Sequence, residues 1–553
     1  MATDTAADLI GMDNEMRSMV LDTIRQLRKK LLTKDLILEW DKNEIFPEAA
    51  IREMLGPDIG LQLVFIPEEY GGLGGGARDS CALTRETSRI CLGISTAFFA
   101  LHLGSDPILV GATDEQKAKW LVKIAEGESI VAYAVTEPGA GSNLAALKTK
   151  AEPITDDDGR IVSYQLNGTK QFISNGGYAD IVTVLANTPE GPAFFVVEKG
   201  TTGFQPGKSE EKHGIRASNT APIVLDDVVV PAENLIGRES GNGMKQANEV
   251  FGYTRLMVAA MALGAAEEAL DIAIKYAQER VQFGSTLSEK QGYSHKLIVP
   301  NVVRLMAAAA HIDQTAMKFD RGTTGLQEEG SIAKYFTTEM ANIAADHSVQ
   351  ALGGYGYINE YEVEKIRRDV RITNIYEGTS EVQQNIISMF RWKKTVKTKG
   401  RFYENLACEL DQIANDYPEL KASIGANTLR IVNAVIQLIH AKKLSRSQHV
   451  MFALSEMIAW AEVNGAMITR AASDLKTGKH SAGKSRLAAR IMAAETTRII
   501  MARAAEIILG SEVMTTAEYL AFRQENNFNN LDEADTGLIA DMDSLADIIF
   551  DRN

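Results

Sequence analysis

The hydrophobic pattern of this chain changes its period twice, and that change limits the folds open to it more than any other feature. The N-terminal part repeats apolar residues at helical spacing, as Met19, Ile24 and Leu27 do among charged residues. After Gly127 the pattern alternates and is rich in β-branched residues, and from about Gly241 long apolar helical stretches return. We therefore predict an α+β fold: an N-terminal helical domain, a middle β-barrel or sandwich domain, a helical bundle and an extra C-terminal helical domain.

The same pattern predicts the domain boundaries. Length alone suggests roughly three or four domains for 553 residues. The predicted domains are residues 1–130, 131–240, 241–393 and 394–553. The clearest predicted strands are 181–185, 193–197 and 223–225, and the clearest predicted helices are 47–55, 257–278, 297–318 and 332–352.

Composition narrows the class of protein. Hydrophobic residues make up 45% of the chain and charged residues 24%, the balance of an ordinary soluble globular protein. The formal net charge of −15 argues against binding nucleic acid or an anionic membrane with the whole surface. Cys81, Cys91 and Cys408 are an odd number without C-x-x-C spacing, so we expect a reducing compartment, no disulfide framework and no metal.

The N-terminus and the hydropathy of the chain predict a cytoplasmic location. The first twenty residues carry Asp4, Asp8, Asp13 and Glu15, and they lack an apolar signal core and an Arg-rich transit pattern. No uninterrupted apolar stretch approaches the roughly 18 residues of a membrane span. A cytoplasmic protein is the expectation that follows.

A carboxylate stands just before a helix-like apolar run at residues 375–387. Gly378 lets the backbone come close to a ligand and the Thr379 hydroxyl can bond that ligand, so Glu377 could be a general base at the mouth of a cleft. The same residues also suit a helix N-cap, with Thr379 and Ser380 as cap residues. On these residues alone the N-cap is the favoured interpretation, and only other parts of the chain reverse that preference.

Two segments of the β region suit a ligand site. Residues 133–143 (Tyr-Ala-Val-Thr-Glu-Pro-Gly-Ala-Gly-Ser-Asn) offer backbone amides and hydroxyls to a phosphate or a ring edge, although a plain β-turn is the alternative. Residues 167–176 (Asn-Gly-Thr-Lys-Gln-Phe-Ile-Ser-Asn-Gly) predict a hairpin turn followed by an aromatic residue, Phe172, and a hydroxyl, Ser174. Strand alternation would place both side chains on one face.

Five motifs occur in the order and spacing of one known family. With them the chain resembles the acyl-CoA dehydrogenase family over about residues 10–392, and its helical tail resembles the extra domain of the very-long-chain branch. The resemblance implies an FAD-dependent flavoprotein oxidoreductase of fatty acid β-oxidation that is at least a homodimer. The motifs are 66–72 (Ile-Pro-Glu-Glu-Tyr-Gly-Gly), 135–142 (Val-Thr-Glu-Pro-Gly-Ala-Gly-Ser), 280–284 (Arg-Val-Gln-Phe-Gly), 350–354 (Gln-Ala-Leu-Gly-Gly) and 376–379 (Tyr-Glu-Gly-Thr).

The resemblance also implies which residues hold FAD between the β domain and the bundle. Phe172 and Ser174 would cover the flavin near its reactive nitrogen, where the family more often has tryptophan and threonine, so looser packing is expected. The other matching positions are Tyr133, Val135, Thr136, Gly141, Ser142, Gly353 and Thr379, together with Arg280, Gln282, Phe283, Gln291, Gln350 and Gly354, which would meet the FAD of the neighbouring subunit.

By the same resemblance Glu377 takes the position of the catalytic base, which removes the alpha proton of an acyl-CoA while hydride leaves the beta carbon. Some family members carry the base on a bundle helix, just before an arginine. Here that arginine is Arg255 and the residue before it is Thr254, so the base is assigned to Glu377. Arg255 would contact CoA, with a structural ion pair as an equal alternative, and Ser142 and Gly378 would also bind the substrate.

The resemblance gives partial information on the acyl chain. The glutaryl branch clamps a distal carboxylate with an arginine, and the matching residue here is Ser95, which favours a neutral acyl chain. Thr96, Phe98 and Phe99 would lie near the deep end of the pocket and suggest a medium or aromatic-sized chain. The long tail suggests long chains instead, and both possibilities stay open.

The tail and the partners leave further alternatives. Residues 476–503 are basic and amphipathic, which suits either a peripheral membrane contact or, with more weight, packing against the protein's own bundle or dimer partner.

The family implies that electrons pass to electron-transferring flavoprotein. An acyl-CoA oxidase using oxygen and a dehydrogenase-derived assembly or scaffold protein are the alternatives, and binding of nucleic acid is not expected.

Overall fold

The computed structural model describes residues 10–552. Asp4 and Asp8, which belong to the stretch without a leader pattern, lie outside the described residues. The chain forms two compact units: one runs to Met257 and takes in Ala316–Thr324, and the other comprises Val258–Thr315 and the chain from Gly325 onward. The predicted order of helices, β-sheet and helices is confirmed.

The first unit begins with helices whose ends carry ordinary capping signals. The Asp13 carboxylate accepts a hydrogen bond from the amide of Met16 (2.8 Å), and Thr113 and Gln116 form a capping box. The predicted helix that follows Pro47 is confirmed. These helices are α1 (Asn14–Lys30), α2 (Lys34–Asn43), α3 (Glu48–Leu55), α4 (Ala77–Ile90), α5 (Leu92–Gly111) and α6 (Asp114–Ala125).

Seven strands of the first unit form one sheet with the order β1-β4-β2-β3-β7-β6, and β5 pairs with β4. Side chains such as Val182, Val184 and Phe195 are fully buried in the core that this sheet encloses. The three predicted strands are confirmed within β4, β5 and β7. The strands are β1 (Val131–Ala134), β2 (Lys150–Thr155), β3 (Ile161–Ser174), β4 (Ile181–Thr188), β5 (Gly191–Glu198), β6 (Phe204–Pro206) and β7 (Thr220–Pro231).

The hairpin turn predicted at residues 167–176 is wrong. Asn167 and Gly168 lie inside the long strand β3, at a shift of its register with β7. A Cβ atom on Gly168 would come within 2.8 Å of the Cα of Thr149, so the glycine serves a close approach of backbones and not a turn. The Asn-Gly pair, which is typical of hairpins, was therefore misleading.

The second unit contains most of the helical bundle, and all the predicted bundle helices are confirmed. The helix α9 is preceded by a π-helical turn, Ser294–Ile298, and a two-stranded hairpin of β8 (Val281–Gln282) and β9 (Ser285–Thr286) follows α7. The bundle helices are α7 (Gly243–Glu279), whose first turns belong to the first unit, α8 (Gln291–Tyr293), α9 (Val299–Asp320), which ends in the first unit, α10 (Gln327–Leu352), α11 (Glu362–Val370) and α12 (Ser380–Lys397).

The C-terminal extension belongs to the same compact unit as the bundle. Three arginines of the basic segment form ion pairs within the chain: Arg490 with Asp541 (2.8 Å), Arg498 with Asp535 (2.7 Å) and Arg503 with Glu456 (2.6 Å). These pairs support packing within the protein and leave the membrane contact without support. The helices are α13 (Arg401–Asp416), α14 (Ala422–Ala441), α15 (Gln448–Lys476), α16 (Ala482–Gly510), α17 (Thr516–Glu525) and α18 (Leu538–Ile549).

Two described helices, α5 and α14, are long and apolar enough to span a membrane by composition. In α5, 89% of the most apolar 18-residue stretch is buried inside the protein, and in α14 the buried share of the corresponding stretch is 67%. Core helices of water-soluble proteins pass the same test of length and composition, so these two helices are weak evidence for a membrane span.

Candidate active site

The loop before α12 has an unusual backbone. Glu377, which is half-buried, has a φ of +53°, and Gly378 follows with a φ of +90°. A left-handed conformation at a residue other than glycine is uncommon and is often found at functional sites. Thr379 then caps α12 by accepting a hydrogen bond from the amide of Val382 at 3.4 Å. The cap predicted from the sequence is therefore present, and Glu377 lies outside it.

Two side chains hold the carbonyls of this loop. The Lys334 ammonium donates to the carbonyl oxygen of Gly378 at 2.7 Å. The Gln383 amide nitrogen donates to the carbonyl oxygens of Glu377 (3.1 Å) and Gly378 (3.2 Å). Lys334 and Gln383 are both fully buried. The peptide groups that follow Glu377 are thus fixed by side chains from α10 and α12.

A second acid near the loop has a different role. A hydrogen bond from its own backbone amide and one from Thr379 hold the pKa of Glu381 below its ordinary value. Glu381 is therefore an ionised first-turn residue of α12, where a negative charge is favourable. Of the two acids, Glu377 is the one that the cap does not use.

The predicted flavin loop of the β domain leaves β1 as a tight turn. The amides and carbonyls of Glu137 and Ala140 bond each other at 3.0 and 3.1 Å, so the turn anticipated as an alternative does form. A Cβ atom added to Gly139 or Gly141 would meet nothing within 4 Å. The loop therefore borders open space, and Ser142 is exposed beside it.

A buried ion pair attaches this loop to β3. The Lys170 ammonium, fully buried, donates to the carbonyl oxygen of Val135 (3.2 Å) and to the Glu137 carboxylate (2.8 Å). The Glu137 carboxylate also accepts from the amides of Lys148 (2.7 Å) and Thr149 (3.0 Å). The contacts with the backbone of Val135, Lys148 and Thr149 therefore tie both ends of the loop to the Lys170–Glu137 pair.

The environment of this pair shifts both pKa values. Burial lowers the pKa of Lys170 to about 8, against the opposing pull of Glu137. Burial alone would raise the pKa of Glu137, but hydrogen bonds from Lys170, Thr149 and the Lys148 amide outweigh it and hold that pKa below its ordinary value. Glu137 is therefore a carboxylate at neutral pH.

The same stretch of β3 carries the residues predicted to cover the flavin. The amide of Gln171 donates to the carbonyl oxygen of Thr136 (2.9 Å), which brings this stretch of β3 beside the loop. Phe172 is 64% exposed and has a φ of +59°, at a shift of the register between Lys170 and Ile173. A bulge therefore interrupts regular strand alternation at Phe172, and the placement of Phe172 and Ser174 on one face stays a prediction.

Tyr133 and Val135 lie at the base of this loop. Both are buried, and the Tyr133 ring stacks on Phe194 with ring centroids 5.7 Å apart. Thr136 is partly exposed. The structure thus brings the β-domain residues of the predicted cofactor set to one loop and the adjacent strand.

Four of the six residues predicted to meet a neighbouring FAD line a cavity of about 560 Å³ in the second unit, whereas Phe283 and Gln291 are not among its lining residues. Phe283 and Gly284, with φ values of +51° and +81°, form the turn of the β8–β9 hairpin and leave the Phe283 side chain 96% exposed. Gln291 donates its amide to Asp543 of α18 at 2.9 Å. The cavity itself is lined by Arg280, Gln282, Gln350, Gly353 and Gly354, among others.

Arg255 and the residues predicted near the acyl chain lie in buried positions of the first unit, whereas Ser142 is exposed and Gly378 belongs to the second unit. Thr254 and Arg255 are buried on α7. The Ser95 hydroxyl donates to the carbonyl oxygen of Thr84 in the neighbouring helix α4 (3.2 Å), and Thr96 donates to that of Leu92 in its own helix α5 (2.8 Å). Phe98 and Phe99 are buried as well.

Sequence reasoning missed the four side chains that hold the two loops: Glu137, Lys170, Lys334 and Gln383. The sequence does contain an indication for the two lysines, because each one interrupts an otherwise apolar segment. Lys334 interrupts a helix that is apolar on most faces, and Lys170 interrupts a strand of the β core. A buried lysine is rare unless it has partners, so a charge at such a position indicates a specific contact.

Three domains of one known protein family match this chain, one after another along the sequence. They are "Acyl-CoA dehydrogenase, N-terminal domain" over residues 14–128, "Acyl-CoA dehydrogenase, middle domain" over 132–228 and "Acyl-CoA dehydrogenase, C-terminal domain" over 241–390. An acyl-CoA dehydrogenase of Bacillus subtilis (strain 168) is 38% identical over 382 residues, which are 68% of this chain and 96% of that protein.

One solved structure extends the similarity to the whole chain. An acyl-CoA dehydrogenase complexed with FAD from Bacillus anthracis aligns with a TM-score of 0.84 and 25% identity, covering 100% of this chain and 98% of that one. A chain of the structure described as the electron transferring flavoprotein of Acidaminococcus fermentans aligns with a TM-score of 0.63 and 34% identity, covering 70% and 98%. With three family domains in order and a relative matched along 96% of its length, the chain belongs to the acyl-CoA dehydrogenase family.

Proposed function

We propose that the protein oxidises a neutral acyl-CoA thioester to the 2-enoyl-CoA, with FAD as cofactor and Glu377 as the base. The observation that carries this proposal is the loop before α12. It holds a half-buried carboxylate on left-handed backbone, and the next two carbonyls are bonded to buried side chains. Strained backbone persists where the surrounding contacts determine it, and such positions cluster at active sites.

The chemistry assigns a role to each part of the site. Glu377 would take the alpha proton of the thioester, and the electrons of that C–H bond would form the double bond as a hydride leaves the beta carbon. The bound FAD would supply the acceptor for that hydride. The backbone amide of Glu377 would donate to the thioester carbonyl, where negative charge develops. Ser142, Arg255 and Gly378 would bind the CoA thioester.

The residues present fit FAD. The open space at Gly139 and Gly141 lets backbone amides approach the cofactor, and the exposed Phe172 ring is an apolar surface that a flavin would cover. The cavity beside Arg280 and Gln282 offers a guanidinium and amides to a phosphate. In a homodimer this cavity would receive the FAD of the neighbouring subunit. Ser174 would cover the flavin together with Phe172, and Thr379 would be a further contact of FAD.

We infer that the electrons leave the protein for an electron-transferring flavoprotein. The structural similarity to a chain of an electron transferring flavoprotein structure supports this choice. An acyl-CoA oxidase would pass the electrons to oxygen instead. Rapid reoxidation of the reduced protein by air would therefore replace our proposal with the oxidase alternative.

The test is anaerobic addition of straight-chain neutral acyl-CoAs of increasing length, and of glutaryl-CoA, to the purified yellow protein. We expect the flavin absorbance to bleach with one range of neutral chains and to remain with glutaryl-CoA, because Ser95 provides no cation for a distal carboxylate. Bleaching by glutaryl-CoA alone would contradict the substrate class. A protein that cannot be reconstituted with FAD would favour a scaffold role.

A further inference from the structure

Lys334 is a buried charge with a specific target. It lies within α10 and is fully buried, and its ammonium donates to the Gly378 carbonyl oxygen at 2.7 Å. Burying an ammonium group is costly unless it is paired or hydrogen-bonded. A leucine or methionine would fill such a position in a helix core without that cost. The presence of a lysine therefore points to the loop that it holds.

Gln383 reaches the same loop from the first turn of α12. Its amide nitrogen donates to the carbonyl oxygens of Glu377 and Gly378, at 3.1 and 3.2 Å. A Cβ atom on Gly378 would come within 2.5 Å of that nitrogen, so glycine is needed for the contact as well as for the φ of +90°. Two consecutive carbonyls are thus held by two buried side chains.

The helix cap alone would hold this loop weakly. The hydrogen bond from the Val382 amide to the Thr379 hydroxyl is long, at 3.4 Å. The left-handed conformation of Glu377 is less favourable than right-handed backbone by roughly 1–2 kcal/mol. A change in the φ of Glu377 that relieved this strain would move the Glu377 carbonyl group together with its side chain, and so would redirect the carboxylate. The contacts of Lys334 and Gln383 oppose that change.

We propose that Lys334 and Gln383 are positioning residues that fix the Glu377 carboxylate and backbone amide for removal of the alpha proton. This inference rests on the proposed role of Glu377. A misplacement of a reacting group by about 1 Å can lower a rate by about 100-fold, so loss of either contact should slow the reaction without preventing substrate binding.

The test uses the full-length protein as purified, with the variants Lys334→Met, Lys334→Gln and Gln383→Met. Lys393→Met is the control, because Lys393 is an exposed lysine on α12. The first readout is amide hydrogen exchange of residues 375–383. The second is exchange of the alpha proton of a 3-thia acyl-CoA into D₂O, since sulfur in place of the beta carbon prevents loss of hydride.

We expect Lys334→Met and Gln383→Met to slow alpha-proton exchange about 10- to 100-fold and to speed amide exchange of the loop, with the Kd of the thioester changed less than about threefold. Lys334→Gln keeps a donor and should recover part of the rate. Wild-type proton exchange and amide protection in both methionine variants would overturn the inference. If Lys334→Met does not fold, Gln383→Met decides the question alone.

The two proposals fail in distinguishable ways. If Glu377→Gln exchanges the alpha proton as fast as the wild type, the proposed base is wrong and the inference falls with it. If Glu377→Gln abolishes exchange while the Lys334 and Gln383 variants keep it, only the positioning role is wrong. The Lys393→Met control should match the wild type in every readout.

Discussion

Two lysines carry much of the local organisation of the site, although neither is a predicted ligand of substrate or cofactor. Lys170 ties the loop after β1 to β3, and Lys334 ties the loop before α12 to α10. Both are fully buried. The sequence pattern identified the loops themselves through their glycines and hydroxyls. It could not identify the side chains that hold them, because those contacts join residues that are far apart in the chain.

Lys170 predicts a specific pH dependence of stability. Its pKa is about 8 in the folded protein against an ordinary value of 10.5, so below pH 8 the folded state must hold a proton that it binds more weakly than the unfolded state does. That penalty is lost as the pH rises from about 8 to about 10.5. At about 1.36 kcal/mol per pH unit, the contribution of this group to the free energy of unfolding should become more favourable by at most about 3.4 kcal/mol.

The measurement is the free energy of unfolding of the wild type and of Lys170→Met across this pH range. The free energy of unfolding of the wild type should increase relative to that of Lys170→Met as the pH rises. Lys208→Met is the matched control, because Lys208 is an exposed lysine of the same unit, and its difference from the wild type should change little. A flat difference for Lys170→Met would contradict the lowered pKa.

At the scale of elements, long periodic segments were predictable and local departures from regularity were not. The helices α7, α9 and α10 follow from their apolar pattern, and β4, β5 and β7 follow from β-branched alternation. The bulge between Lys170 and Ile173 and the left-handed Phe172 were not predictable. They depend on pairing with β7 and on the loop after β1, which no local propensity encodes.

A buried ionic cluster joins the extension to the bundle. Arg391 of α12 donates to Glu462 of α15 (2.8 Å) and to Glu329 of α10 (3.0 Å), and its guanidinium lies 4.9 Å from the ring of Phe402 in α13. Burial would lower the pKa of Arg391, but Glu462 and Glu329 outweigh it and raise that pKa. The Tyr403 hydroxyl also donates to Glu462 at 3.0 Å.

We expect Arg391→Met to lower the free energy of unfolding by about 3 to 5 kcal/mol, because it leaves buried carboxylates without their cation. Chemical denaturation of the variant and the wild type measures this loss. The matched control is Arg430→Met: Arg430 also pairs with two acids, Glu404 and Asp411, but it is partly exposed, and its loss should cost about 1 kcal/mol or less. An equal loss of unfolding free energy in Arg391→Met and Arg430→Met would show that burial of the Arg391 cluster adds nothing to its effect on stability.

At the scale of the whole molecule, the extension is part of the second compact unit. The family matches end at residue 390, whereas the Bacillus anthracis acyl-CoA dehydrogenase structure covers the entire chain. The boundary predicted after residue 393 falls inside α12, which runs to Lys397, because a continuous helix carries the chain from the bundle into the extension. The hydrophobic pattern predicts separate domains here, and the structure places the bundle and the extension in one compact unit, with α12 packed against α15. The homodimer and the cytoplasmic location stay predictions.

The direct test of the central claim is flavin reduction by Glu377→Gln in a single turnover under anaerobic conditions, with the best neutral acyl-CoA. The substitution keeps the size of the side chain and removes the base. We expect the variant to bind FAD and acyl-CoA as the wild type does and to reduce the flavin at least about 100-fold more slowly, since general base catalysis contributes about 10²- to 10⁴-fold. Reduction at the wild-type rate would contradict the claim that Glu377 removes the alpha proton.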